Sequence, residues 1–336
     1  MKNRISLKDK IFIAGAKGMA GSAIHRTLLK KGYGKESEGG AVLTPSRREL
    51  DLLNKNAVEK WFANNKPNIV IIAAAKVGGI LANSSQPTEF LLENLQIQNN
   101  LIETSWKNDV KRLLFLGSSC IYPKFANQPI QEESLLTGEL EETNESYAIA
   151  KIAGIKLCQS LRKQYGFDAI SLMPTNLYGD GDNYDPEQSH VMAALINKFY
   201  YASKNNLPSV TCWGTGLARR EFMHANDLGE AVVFTLESWF PFSDDGPKDK
   251  NDNPLTILNV GTGKDITIKE LSQKIADLFD YKGDILWDKT KPDGTPKKLL
   301  NIEKISTLGW QPKLSLDAGL KLAIESYKRE IVNMKI

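Results

Sequence analysis

The strongest constraint in this sequence is a strict alternation of short apolar runs with longer helical patterns through its first half. Lys10-Ile-Phe-Ile-Ala-Gly15, Ala41-Val-Leu-Thr44, Asn68-Ile-Val-Ile-Ile-Ala73, Arg112-Leu-Leu-Phe-Leu116 and Asp168 to Met173 each read as a strand. The runs are continuous, as in strands covered on both faces of a parallel sheet. Between them Met19, Ala23, Ile24, Leu28 and Leu29 mark one helical face, and Asn56 to Asn64, Glu89 to Trp106 and Tyr147 to Tyr165 read as further helices. Strand and helix in this order predict an α/β fold, a doubly wound parallel sheet with right-handed crossovers.

The pattern loosens after Asn176. A polar loop from Tyr178 to Ser189 leads to a helix over Val191 to Ser203, a strand at Ser209 to Trp213 and a helix over Asp227 to Glu237. The polar stretch Ser243 to Asn253 reads as an exposed loop. Leu255 to Val260 reads as a strand returning to the main sheet, and Ile268 to Phe279 as an amphipathic helix. The expected organisation is a nucleotide-binding domain over 1–177, joined again by segments near 214–237 and 255–263. A smaller, interleaved C-terminal domain over 178–336 would take the substrate.

Composition excludes several partners. Lys and Arg number 43 against 40 Asp and Glu, a net +3, too small and too dispersed an excess for a nucleic-acid face. The three cysteines, Cys120, Cys158 and Cys212, form no CxxC pair, so neither a disulfide framework nor a metal site is expected. Their odd count fits a reducing compartment. No apolar leader or membrane-length segment occurs, so a cytoplasmic chain without a membrane partner is expected.

Gly15-Ala-Lys-Gly18-Met-Ala-Gly21 joins the first strand to the first helix. Glycines there permit a tight turn and a close approach to a pyrophosphate, and the helix N-terminus offers N–H groups and partial positive charge. This is a Rossmann-type dinucleotide loop, with GxxGxxG spacing. At the end of the second strand an NAD site usually carries an acid; here Thr44-Pro-Ser-Arg47-Arg48 precedes the first carboxylate, Glu49. Arg47 and Lys17 would suit a 2′-phosphate, which favours NADP(H).

Tyr147-Ala-Ile-Ala-Lys151 sets a phenol and an ammonium on one helical face, where the charge is expected to bring the phenol toward working pH. Gly117-Ser118-Ser119-Cys120 follows the fourth strand, at the sheet edge where ligands sit. Ser118 could hold a carbonyl that Tyr147 protonates.

At these residues the chain resembles the extended short-chain dehydrogenase/reductase superfamily. Ala73-Ala-Ala-Lys-Val-Gly-Gly79, Leu116-Gly-Ser-Ser-Cys-Ile-Tyr-Pro-Lys124, Met173-Pro-Thr-Asn-Leu-Tyr-Gly179 and Lys291-Pro-Asp-Gly-Thr-Pro296 are similar to signature strings of the GDP-L-fucose synthase family. The resemblance runs from about Lys10 to Pro312. It implies 3,5-epimerisation of GDP-4-keto-6-deoxy-D-mannose followed by NADPH reduction of its 4-keto group. It further implies Ser118, Tyr147 and Lys151 as the reductase triad, and Cys120 and His190 as the epimerisation acid/base pair, with the division between them open. Gly15, Lys17, Gly18, Met19, Ala20, Gly21, Arg47, Leu116, Gly117, Ser118, Ser119, Lys151, Pro174, Thr175, Asn176, Leu177 and His190 would line the cofactor. Lys198, Trp213, Arg220 and Asp293 would contact the GDP-sugar. Lys17, Arg48 and a long loop over Ser238 to Asn253 depart from the family pattern.

The chemistry also has a reading without the family. Hydrogens beside a ketone are acidic, and a thiol and an imidazole both titrate near neutrality, so they suit proton exchange there. Cys158 reads as a packing residue, His25 as solvent-facing and His224 as a helix cap. A 4-epimerase with tightly held NAD would need no Cys120–His190 pair, and a catalytically dead sensor would have no use for Tyr147 beside Lys151. The helix from Tyr147 to Leu161 is apolar nearly all round, so a homodimer seam shared with Leu91 to Ile102 is expected, with burial beneath the second domain as the alternative.

Overall fold

The structure, a computed structural model, describes residues 4–185 and 189–333. Its first half follows the expected alternation: β1 (Lys10–Ala14), α1 (Met19–Lys30), β2 (Ala41–Leu43), α2 (Lys55–Asn65), β3 (Ile69–Ile72), α3 (Ile80–Ser85), α4 (Pro87–Lys107), β4 (Arg112–Leu116), α5 (Glu145–Tyr165) and β5 (Ala169–Pro174). The second half runs β6 (Asn176–Tyr178), α6 (Val191–Lys204), β7 (Ser209–Trp213), β8 (Arg219–His224), α7 (Ala225–Ser238) and β9 (Ile257–Val260). It ends with β10 (Asp265–Thr267), α8 (Ile268–Leu278), β11 (Asp284–Asp288), β12 (Lys297–Lys298), α9 (Glu303–Thr307) and α10 (Leu316–Asn333).

Six strands form one parallel sheet in the order β2-β1-β3-β4-β5-β9, with β9 returning as the sequence predicts. Successive strand residues feed opposite faces. Ile11, Ile13, Ile69, Ile71 and Leu114 pack on the side of α1 and α7, while Phe12, Val70, Ile72, Leu113 and Phe115 pack on the side of α2, α4 and α5. Strands covered on both faces have no solvent-facing positions to fill with polar residues, hence the continuous apolar runs. A charged exception is Arg112, 1% exposed, which donates to the carbonyls of Leu236 and Trp239 and so ties β4 to the end of α7.

Glycine sets the closeness of each helical layer. At Gly229 of α7, a Cβ would stand 2.6 Å from the Ala23 carbonyl oxygen of α1. At Gly154 of α5, it would stand 2.7 Å from Phe115 Cζ and 2.8 Å from Gln98 Oε1 of α4. Gln98 is itself fixed by donation to the Ala150 carbonyl at 2.6 Å. On α1 the buried face differs by one residue from expectation. Leu29 is 50% exposed, and Thr27 is buried in its stead because its hydroxyl can bond the Ala23 carbonyl.

A third core gathers α6, α8 and α10 through Met192, Phe199, Leu271, Leu320 and Ile324. Beside it lie a β11–β7 pair and a small sheet centred on β8, which pairs with β6, β10 and β12. β8 was not expected. Part of the predicted Tyr178 to Ser189 loop, 186–188, lies outside the described residues. No helix of the described chain is long and apolar enough to cross a membrane.

Alanine is a better helix former than glycine by roughly 1 kcal/mol. At Gly154 the buried crossing should outweigh that gain. Gly154→Ala should lower the urea-unfolding free energy by about 1–3 kcal/mol, and a more stable variant would show that α4 and α5 are not so closely crossed.

Candidate active site

The chain reverses its direction of winding between β1 and β3, so the loops at the carboxyl ends of these strands open a crevice. A cleft of about 980 Å³ lies there, extends past β4 and β5, and reaches α6, β7, β8 and β12. Every residue that the sequence assigns to cofactor, chemistry or sugar lies on its wall.

The three loop glycines do different work. Gly15 has φ +84°, and a Cβ there would lie 2.7 Å from Ala74 backbone atoms. At Gly21 it would meet the Gly15 oxygen at 2.1 Å, so this position brings α1 down onto the turn. Gly18 precedes α1, and its Cβ would meet only the Gly15 oxygen, at 3.6 Å. The Gly18 N–H itself donates to the Gly15 carbonyl, so the open space at Gly18 leads to the first turn of α1, which carries no acid. Lys17, Met19, Ala20 and Arg47 line the same end. Glu49 is engaged elsewhere, accepting from Ser46 N at 2.7 Å. Asp51, which sequence reasoning passed over, also reaches the wall, and its carboxylate accepts from Leu53 N at 3.1 Å.

The reacting groups meet where β4 ends. Ser118 Oγ accepts from Cys120 N at 3.2 Å and shares a hydrogen bond with the Tyr147 phenol, in the first turn of α5. Lys151 follows one turn later. Its ammonium donates to the Leu116 carbonyl at 2.8 Å and lies 5.9 Å from the Tyr147 ring centroid. Burial pushes the phenol up, beyond what its bond to Ser118 pulls back, and lowers Lys151 to about 7. Among these residues desolvation therefore outweighs the attraction that the YxxxK spacing suggests.

Cys120 is half-buried, with two donors on its sulfur: Asn144 Nδ2 at 3.7 Å and Lys298 Nζ at 3.6 Å. Asn144 stands at the N-cap of α5, where asparagine normally accepts from the helix's own N–H groups. Here it makes no such cap, and its buried Oδ1 finds no partner among the described residues. His190, the residue before α6, is exposed to the cleft interior, and the partial loss of solvent among the walls pushes its imidazole down. It is then neutral at neutral pH and able to accept a proton. Cys158 is different: burial pushes it up to about 12, an inert packing thiol. His224 caps α7 by accepting from Asn226 N at 3.2 Å, and His25 is half-buried on α1.

Across the cleft Trp213 is 42% exposed, with Lys198 Nζ 5.8 Å and Lys291 Nζ 5.4 Å from its ring. A flat aromatic plate with two cations close to it suits a base carrying phosphates. Arg220, on β8, donates to the Asp293 carbonyl at 2.9 Å. The Asp293 carboxylate accepts from Thr215 N and Oγ1, which fixes the loop after β7. Pro174 to Leu177 complete the wall beside β5.

Because Lys151 is neutral when folded above about pH 7 but charged when unfolded up to about pH 10.5, the unfolded chain binds more protons in that window. Stability contributed by this group must rise with pH there. Between pH 7 and pH 9, the ligand-free protein should gain about 2 kcal/mol over Lys151→Met in urea unfolding. Parallel pH profiles would show that Lys151 is not desolvated as described.

Among protein families, residues 11–242 match the NAD dependent epimerase/dehydratase family. GDP-L-fucose synthase 1 of Arabidopsis thaliana is 48% identical over 96% of this chain and 94% of its own length. GDP-L-fucose synthase of Escherichia coli strain K12 is 48% identical over 93% of this chain and 94% of its own. Among solved structures, a GDP-mannoheptose C4 reductase from Campylobacter jejuni with NADP bound superposes with a TM-score of 0.82. It is 36% identical, over 96% of this chain and 99% of that one.

Proposed function

The chain belongs to the NAD dependent epimerase/dehydratase family and, within it, to the GDP-L-fucose synthases, and from that membership we propose how its cleft works. The reaction is the NADPH-dependent conversion of GDP-4-keto-6-deoxy-D-mannose to GDP-L-fucose. One observation carries the division of labour. The Ser118–Tyr147–Lys151 set and the Cys120–His190 pair line a single cleft, together with the glycine loop.

The cofactor is NADP(H), and the residues present fit it. Gly18 and the first turn of α1 would hold the pyrophosphate, and Lys17 and Arg47 the 2′-phosphate, with Glu49 already engaged by Ser46. Leu116 to Ser119, Pro174 to Leu177 and His190 would line the rest, and Lys151 would hold the ribose end. When bound, the nicotinamide supplies a hydride to carbon 4. Trp213 would stack on the guanine, while Lys198 and Arg220 would meet the phosphates; Asp293 shapes the loop that closes this end.

Epimerisation comes first. Of His190 and the Cys120 sulfur, one removes a proton from carbon 3 or carbon 5 on one face. The other, having taken a proton from solvent, returns one on the opposite face; the removed proton leaves to solvent, so the count is unchanged. The carbonyl oxygen, held by Ser118, carries the enolate charge meanwhile. Reduction follows: Tyr147 gives its proton to that oxygen and regains one from solvent. Lys151, one turn away, holds the phenol's surroundings polar and fixes the end of β4 through Leu116.

Residues 1–177 with α7 and β9 form the cofactor half on this reading, and the remainder of 178–336 the sugar half. Packing of α7 on α1 and of β9 in the central sheet supports it. Ile152, Ile155 and Leu161 of α5 are buried within the chain, whereas Ile149 and Leu92 stay exposed at 43% and 51%. We assign that outer α4–α5 surface to a homodimer seam. Three free cysteines suit a cytoplasmic enzyme.

In heavy water, Tyr147→Phe should still place deuterium on the sugar ring while NADPH oxidation falls by about a hundredfold or more. Cys120→Ser should instead slow deuterium uptake, since a hydroxyl is a far poorer base than a thiolate. If Cys120→Ser exchanges at the wild-type rate, the cysteine is not the proton carrier. If Tyr147→Phe loses both activities together, one group serves both steps.

A further inference from the structure

We propose that Lys298 is a positioning residue for the epimerisation half-reaction, holding the Cys120 sulfur in its ionised form at the cleft wall. This rests on the reading of Cys120 as a proton carrier. Lys298 is only 8% exposed, and its ammonium lies 3.6 Å from Cys120 Sγ. Among the described residues, no carboxylate forms an ion pair with it. An unpaired buried ammonium is strongly disfavoured, so this position calls for an anion. The sulfur is the group placed to become one.

The segment that carries Lys298 is clamped on both sides. β12 lies along β8 with Lys298 beside Arg220 in register. Gln128 bonds the Lys297 carbonyl and accepts from Leu299 N, and the buried Glu221 carboxylate accepts from Leu300 N at 2.9 Å. With its backbone so fixed, the lysine side chain reaches a sulfur 178 residues away in sequence. Asn144, which leaves its own helix uncapped, also donates to that sulfur. Arg220 and Tyr147 also lie within electrostatic reach of the sulfur, with Glu141 acting on Arg220. Of these groups, Lys298 and Arg220 are cations and Lys298 is the one in hydrogen-bond contact. It acts through Cys120 and makes no contact with substrate in this account.

The test uses full-length protein with NADPH and reads two quantities. One is the rate at which iodoacetamide alkylates Cys120 at pH 7, followed by peptide mass; buried Cys158 and Cys212 leave Cys120 as the accessible thiol. The other is deuterium uptake by the substrate in heavy water. Lys298→Met should slow both by about tenfold to a hundredfold, with NADPH affinity unchanged, and Lys298→Arg should recover most of each rate. Should the methionine variant fail to bind NADPH, Lys298→Gln carries the same readouts. Wild-type alkylation and exchange in the neutral variants, with exchange lost in Cys120→Ser, would overturn the role of Lys298 alone. Wild-type exchange in Cys120→Ser would overturn the reading beneath it.

Discussion

A parallel sheet covered on both faces has one edge at which all strands end, and the architecture of this protein follows from that geometry. Helices α1 and α7 seal one face and α2, α4 and α5 the other, so polar chemistry has no place within the layers. It collects at the carboxyl ends of β1, β3, β4 and β5, where the winding direction reverses and the loops part. The second lobe closes over this edge. Its β8 and β12 bring Arg220 and Lys298 to the same opening as Tyr147 and Cys120.

Desolvation is the force that sets the chemistry there. It raises the Tyr147 phenol, lowers Lys151 to about 7 and lowers His190. Each shift favours the neutral form at the reacting centre, while Lys17, Arg47, Lys198, Arg220 and Lys298 line the rest of the cleft. The sulfur of Cys120 is the contrasting case, because two side-chain donors converge on it. Desolvation and local donors together distinguish the proton carriers from packing residues such as Cys158.

Much of this was legible in the sequence because burial on both faces leaves an uninterrupted apolar signature. All five strands read from the first half form, and β9 returns to the sheet as expected. The glycine loop, Ser118, Tyr147 and Lys151 were legible because tight turns and helical spacing constrain residue type locally. The strand β8 was not, since Arg219-Arg-Glu221 looks like surface. Glu221 is fully buried there, satisfied by backbone N–H groups of Thr262, Gly263 and Leu300. Lys298 and Asn144 were invisible for a related reason. Each is an ordinary polar residue whose meaning depends on a partner brought near by tertiary pairing. Leu29 shows the reverse error, an apolar residue read as buried although a threonine hydroxyl satisfied by the helix backbone fits that face instead.

The central claim is that one cleft both inverts two ring carbons and reduces a third. It is tested most directly by letting the wild-type protein turn over GDP-4-keto-6-deoxy-D-mannose with NADPH in heavy water and solving the product by NMR. The account predicts GDP-L-fucose carrying deuterium at carbons 3 and 5, with one NADPH oxidised per product. A product reduced at carbon 4 with its original protons and configuration at carbons 3 and 5 would contradict it, leaving a reductase in which Cys120 and His190 have no part.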